Sequence, residues 1–310
     1  LLNVVYNKLL EDMNMKVLLI GGTGYVGQKF QEVFERKGLE YLNLSRKNID
    51  YYDYNKLLQI IRDYDPKFVF NAAGFTGKPN VDQCEIAKSD TIIGNVLLPQ
   101  LIGQACDSHD VPLVHVSSGC IYSGDKGLDD NNVRIGFHEF DEPNFSFDSP
   151  PCSFYSGSKA LGEQVLTSFE KVYTCRLRIP FDEVDCNRNY LSKLQRYDKL
   201  YEATNSVSHR EEFVEACISL PLFGSEYGIY NVTNSGYVTT KDVVECIKKN
   251  LGIVKDYTYW ENDEEFYSKG AATPRSNCVM DNVKLLSTGI DMRHCMDAIE
   301  MSLRAWKNER

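Results

Sequence analysis

The segment Lys16–Gly27, KVLLIGGTGYVG, constrains the fold more than any other stretch of the chain. An apolar run, Val17–Ile20, is followed by glycines at 21, 24 and 27, and helical periodicity begins at once. A buried strand that turns through glycine into a helix has few solutions. Gly21 permits the tight turn, Gly24 lets a ligand approach the backbone, and Gly27 lets helix and strand pack closely. The same alternation continues, with strands expected at Tyr41–Ser45, Lys67–Ala72, Pro112–Ser117 and Thr174–Ile179. Helices are expected over Tyr25–Lys37, Tyr54–Asp63, Thr91–His109 and Phe154–Glu170. Strands alternating with helices imply right-handed crossovers and a parallel sheet covered on both faces. The expected class is α/β, a Rossmann-type doubly wound sheet.

After Pro180 the elements become shorter and more polar, which predicts a smaller C-terminal lobe closing the crevice at the carboxyl ends of the strands. The chain of 310 residues is then an extension over 1–14, a dinucleotide-binding domain over 15–180 and a mainly substrate-binding lobe over 181–310. Some segments of the lobe are expected to return to the sheet. Lys and Arg number 34 against 44 Asp and Glu, a net charge of −10. An acidic surface repels phosphate backbones and anionic lipid, so nucleic acid and membrane are disfavoured as partners. The ten cysteines form no C-x-x-C pair and the five histidines show no metal spacing. The expectation is reduced thiols, no metal and a cytoplasmic setting, with His115 a satisfied core residue and a homodimer as the candidate assembly.

The helix start after Gly21 offers N–H groups and a positive dipole to a pyrophosphate, with Thr23, Tyr25 and Val26 in the same cradle. Beyond the second strand stand Ser45 and Arg46, where a dinucleotide enzyme selecting NAD carries a carboxylate. Hydroxyl and guanidinium suit a 2′-phosphate, so NADPH is the expected cofactor. Tyr155 and Lys159, four residues apart, share one helix face. A nearby ammonium eases ionisation of a phenol, which can then exchange a proton with a carbonyl during hydride transfer.

Together, GGTGYVG, NAAG (Asn71–Gly74), Asn95, SSGCIY (Ser117–Tyr122) and YSGSK resemble the extended short-chain dehydrogenase/reductase family. The resemblance implies that Ser118 joins Tyr155 in polarising a carbonyl and that Lys159 also binds the nicotinamide ribose. It implies that Asn71, Ala72, Ala73 and Asn95 line the cofactor, with Pro180 beside the nicotinamide. A more specific likeness lies in NAAGFTGKPNVDQCE (Asn71–Glu85), SSGCIY, IGFHEFDEPNF (Ile135–Phe145) and PRSN (Pro274–Asn277). These resemble the bifunctional nucleotide-rhamnose synthases, 3,5-epimerase/4-reductases related to dTDP-4-dehydrorhamnose reductase. The implied substrate is UDP-4-keto-6-deoxyglucose and the implied product UDP-L-rhamnose. Thr76, Gly77, Asn80 and Glu85 are then sugar-pocket residues.

Carbons 3 and 5 of such a sugar flank the ketone, so their protons are acidified, and groups that polarise the ketone also stabilise an enolate. Epimerisation needs one group to remove a proton and another to return it from the opposite face. Cys120, two residues beyond Ser118, is the first candidate, and Lys193, where the synthases carry a lysine, is the second. Arg275 offers a fork for the diphosphate, and Asn189 is a weaker contact for sugar or phosphate. Two alternatives stay open: a reductase served by a separate epimerase, and a non-catalytic NADP-binding regulatory subunit. Uridine and thymidine carriers differ by one methyl group, which leaves the nucleotide open.

Overall fold

The computed structural model describes residues 15–47 and 50–307. The expected extension over 1–14 lies outside the described residues. In chain order the main elements are β1 (Lys16–Ile20), α1 (Tyr25–Arg36), β2 (Glu40–Leu44), α2 (Tyr54–Tyr64) and β3 (Phe68–Asn71). Next comes α3, α-helical over Lys88–Ile92 and Leu98–Asp107 with a π-helical turn, Ile93–Leu97, between them. β4 (Leu113–Ser118), α4 (Phe154–Leu166) and β5 (Val172–Leu177) follow. The remaining chain adds α5 (Tyr190–Arg196), α6 (Arg210–Leu222), β6 (Gly228–Asn231), α7 (Thr240–Leu251), α8 (Asp263–Lys269) and α9 (Cys295–Arg304).

The six strands form one sheet in the order β6-β5-β4-β3-β1-β2. β1 lies parallel to both β2 and β3, with Val17 opposite Tyr41 and Phe68, and β3 lies parallel to β4 with Asn71 opposite His115. The chain thus steps from β1 outward to β2 and returns to the other side of β1 with β3. That reversal is the switch point at which open α/β sheets place ligands. The loops leaving Ile20 and Asn71 stand there side by side. β6, from the C-terminal half, forms the far edge, so one late segment does return to the sheet.

Local chemistry sets the boundaries. Asp53 caps α2 by accepting from the N–H groups of Asn55 at 3.0 Å and Lys56 at 3.2 Å. The helix stops at Asp65, which is left-handed with φ +51°, ahead of Pro66. The helix expected over Thr91–His109 is present over 88–107, with a π-helical turn inside it. It widens at Gly94 and Asn95, where a Cβ on Gly94 would stand 2.9 Å from that of Phe75.

Two compact units divide the chain, and the division is interleaved rather than a single cut near residue 180. The first holds the described residues up to Ser117, with Ser158–Cys175 and Val214–Tyr230. The second holds Ser118–Gly157, Arg176–Phe213 and the described residues from Asn231. In the first, Leu18, Ile20, Val69 and Leu113 of the strands pack against Leu57, Ile61, Ile102 and Leu166 of the helices. The core of the second joins Leu191 and Leu194 of α5 to Val243 and Ile247 of α7 and Ile299 and Leu303 of α9. Among the described residues no helix is long and apolar enough to cross a membrane.

Candidate active site

In the first unit, the three glycines at the start of α1 have different reasons to exist. Gly21 has φ +86°, and a Cβ there would lie 2.5 Å from the Ala73 nitrogen. A Cβ on Gly27 would lie 2.1 Å from the Gly21 carbonyl oxygen. Both positions are closed by the protein's own backbone. Gly24 is different: its φ of −79° suits any residue, and a Cβ would meet only the Gly21 oxygen, at 3.4 Å. Gly24 is exposed and is the N-cap of α1 with no side-chain cap. A glycine that the fold does not require, at an uncapped helix start, fits the close approach of a diphosphate. Thr23 is exposed, and Tyr25 and Val26 are half-buried in the first turn.

Ser45 and Arg46 follow β2, Ser45 half-buried and Arg46 exposed. Arg46 lies near enough to Tyr51 and Tyr52 for its charge to oppose the rise that burial imposes on both phenols. Ala72 and Ala73 are half-buried in the loop after β3. Asn71 is wholly buried. Its side chain donates to Nδ1 of His115 at 3.0 Å and accepts from the N–H of Ala73 at 3.0 Å. His115 is the core residue expected. Burial, then the charge of Lys159, hold its imidazole well below the usual range, so it stays neutral and accepts at Nδ1.

Asn95 requires a correction. Its amide is not offered to a ligand: Oδ1 accepts from the N–H of Phe75 at 2.8 Å, and Nδ2 donates to the Phe75 carbonyl at 2.9 Å and to Ser158 Oγ at 3.0 Å. It is a clamp on the loop after β3. Lys159, also buried, donates Nζ to the Val116 carbonyl at 3.2 Å. Thr76 and Asn80 are exposed, Glu85 is half-buried, and Asn80 Oδ1 accepts from the Asp82 N–H at 2.9 Å. Gly77 is buried with φ +68°, a turn residue whose missing Cβ would strike the Asn80 carbonyl.

The second unit holds Ser118, Cys120, Tyr155, Lys193 and Arg275, and Ser117 ends the opening segment of the first. Of the adjacent serines, Ser117 donates its hydroxyl to Glu163 at 2.5 Å. Ser118 Oγ instead accepts from the Cys120 N–H at 3.2 Å, which leaves its proton available to a carbonyl oxygen. One 3-10 turn, Gly119–Ile121, therefore fixes Cys120 relative to the Ser118 hydroxyl. Tyr155 is half-buried near the start of α4, one turn before Lys159. Lys193, half-buried on α5, has its ammonium pushed below the usual range by burial first and then by the charges of Arg188 and Arg275. Lys193 and Arg275 are thus electrostatic neighbours. Pro180, half-buried, opens a two-residue strand paired with Ser208–His209.

Asn189 is a second correction. It is completely buried, and its amide donates to the Asp182 and Val184 carbonyls at 2.8 Å while its oxygen accepts from the Leu191 N–H at 3.0 Å. Its oxygen caps α5 and its amide holds the Asp182–Val184 backbone, so nothing is left for sugar or phosphate. The sequence reading also missed Arg178. This residue is 2% exposed and donates to Cys120 Sγ at 3.1 Å, Asn205 Oδ1 at 2.5 Å and the Ser276 carbonyl at 2.6 Å. It ties the Cys120 turn to the PRSN segment. The available signal was two arginines, 176 and 178, inside an otherwise apolar strand, because buried guanidinium is rarely without a task.

The model of the RmlD substrate binding domain family matches residues 15–307. A bifunctional dTDP-4-dehydrorhamnose 3,5-epimerase/dTDP-4-dehydrorhamnose reductase of Arabidopsis thaliana is 34% identical, over 86% of this chain and 85% of its own. A trifunctional UDP-glucose 4,6-dehydratase/UDP-4-keto-6-deoxy-D-glucose 3,5-epimerase/UDP-4-keto-L-rhamnose-reductase of the same plant is 33% identical over 92% of this chain. The chain spans only 41% of the length of that relative. In fold it is similar to the UDP-rhamnose synthase of Acanthamoeba polyphaga mimivirus, with TM-score 0.84 and 21% identity over 94% of this chain and 99% of that one. A dTDP-4-dehydrorhamnose reductase of Bacillus anthracis, solved with NADP, gives TM-score 0.78 and 20% identity over 95% and 99% of the two chains. The chain belongs to the RmlD substrate binding domain family.

Proposed function

We propose that the protein is an NADPH-dependent bifunctional 3,5-epimerase/4-reductase that converts UDP-4-keto-6-deoxy-D-glucose to UDP-L-rhamnose. The observation that carries this reading is the turn after β4, in which Ser118 accepts the Cys120 N–H. The hydroxyl that polarises a ketone and the thiol able to take the neighbouring proton are held by the same turn. The names of the curated relatives support both activities, and Ser45 with Arg46 supports the 2′-phosphorylated cofactor.

Bound at the Gly21–Gly27 cradle, NADPH would supply the hydride. The chain supplies the rest. Ser118 donates a hydrogen bond to the ketone oxygen, which acidifies the hydrogens on the flanking carbons. Cys120 removes one, and Lys193, on which burial and neighbouring cations weaken the hold on its proton, returns one from the other face. Tyr155 then protonates the alkoxide left by reduction, with Lys159 one turn along the helix favouring its anion. Arg275 holds the diphosphate.

Incubation of the chain with UDP-4-keto-6-deoxyglucose and NADPH, followed by product analysis, tests this. UDP-L-rhamnose is expected. A reduced sugar that keeps its original configuration at carbons 3 and 5, or an unreacted substrate, overturns the epimerase assignment; unconsumed NADPH with a supplied 4-keto-rhamnose overturns the reductase.

A further inference from the structure

Arg178 poses a charge-balance problem. Guanidinium does not lose its proton in proteins, and burying it without an anion is costly. Arg178 is 2% exposed, and among the described residues no carboxylate lies within ion-pair distance. Its Nε is a buried donor without a partner. Two of its three hydrogen-bond partners, Asn205 Oδ1 and the Ser276 carbonyl, are neutral oxygens. The contrast with Arg210 is instructive, since that buried guanidinium is paired with the Asp182 carboxylate at 2.5 Å.

The acidic groups whose charge would favour the Arg178 cation are Cys278, Cys120 and Tyr190. Burial pushes the Tyr190 phenol up to about 12, with Thr240 and Glu202 also acting on it. Burial likewise raises the Cys278 thiol, which faces both Arg178 and Arg176 and donates to the Gly119 carbonyl at 3.4 Å. Cys120 differs from both. It is half-buried, so water can share its charge, and its sulfur receives a guanidinium N–H directly at 3.1 Å. A neutral thiol is a poor acceptor for such a donor, whereas a thiolate is a strong one.

We propose that Arg178 is a positioning residue that holds Cys120 as a thiolate, making the sulfur the resting base of the epimerase half-reaction. This rests on the function proposed above. The thiolate takes a proton from the carbon beside the ketone and becomes a thiol. The C–H electron pair moves into the carbonyl as an enolate, and the Lys193 ammonium later gives carbon its new proton. The same guanidinium anchors Ser276, next to Arg275, so base and diphosphate fork share one support.

The test is the rate of iodoacetamide labelling of Cys120 in the intact chain against pH, read by mass spectrometry of its peptide. Labelling near pH 7 is expected to be about tenfold or more faster in the wild type than in Arg178→Met, because the guanidinium N–H on the sulfur favours the reactive thiolate. Equal labelling rates in the two folded proteins overturn the proposal. Arg178→Lys should restore part of the rate lost in Arg178→Met. The pH profile of solvent-deuterium incorporation at carbons 3 and 5 should move with the labelling profile. If the wild type labels as expected yet incorporates no deuterium, the epimerase reading fails while the Arg178–Cys120 pairing stands.

Discussion

Replacing Asn95 by alanine removes three hydrogen bonds at once, those to the Phe75 N–H, the Phe75 carbonyl and Ser158 Oγ, at 2.8, 2.9 and 3.0 Å. Each contributes about 1 kcal/mol net, and the two Phe75 backbone groups lose their partners in a half-buried loop, which adds roughly 1 kcal/mol apiece where water cannot replace them. The expected loss is about 3–5 kcal/mol, a large share of a typical domain's stability. Urea unfolding followed by a probe in the first unit should show the midpoint lowered by about 1 M or more at unchanged slope. Ser158→Ala removes only the third bond and should cost about 1 kcal/mol. Asn95→Asp keeps an acceptor for the Phe75 N–H but sets a carboxylate oxygen against the Phe75 carbonyl, so it should be at least as damaging as alanine. A loss below about 1 kcal/mol for Asn95→Ala would refute the clamp.

The cradle predicts a split between two glycines. Gly27→Ala drives a Cβ to 2.1 Å from backbone oxygen and should lower stability by about 2 kcal/mol or more in the same urea assay, whereas Gly24→Ala should unfold like wild type but raise the KM for NADPH. Tyr155→Phe should lower kcat for 4-keto reduction by about 10²–10⁴-fold while the chain still binds NADPH; undiminished turnover would eliminate the phenol as proton donor. Lys193 holds its proton less firmly when folded than when unfolded. Below its folded value both states are protonated and the full cost of the buried charge is present. Stability then rises with pH through the window up to the unfolded lysine value, because the unfolded chain binds the extra proton. Lys193→Met should therefore raise the urea midpoint at pH 7, with the gain shrinking toward pH 10; a destabilised variant at pH 7 would reverse the sign.

Local residue patterns determined the sheet and the cradle by themselves. An apolar strand followed by glycines and a helix has few workable packings, and the structure closes Gly21 and Gly27 with backbone as such a packing demands. The Asp53 cap and the stop at Asp65-Pro66 are equally local, since one side chain and one ring set them. What the sequence could not reveal is how each polar side chain spends its hydrogen bonds, because those partners are distant in the chain. Asn95 and Asn189 have the composition of ligand contacts but are consumed inside the fold, by Phe75 and Ser158 in one case and by Asp182, Val184 and Leu191 in the other. Arg178 reads as one more charge in a strand until folding places Cys120, 58 residues away, and Ser276, 98 residues away, on its guanidinium. Strand and turn follow from neighbours along the chain; the contact of a buried guanidinium with the Cys120 sulfur is one that only the tertiary structure supplies.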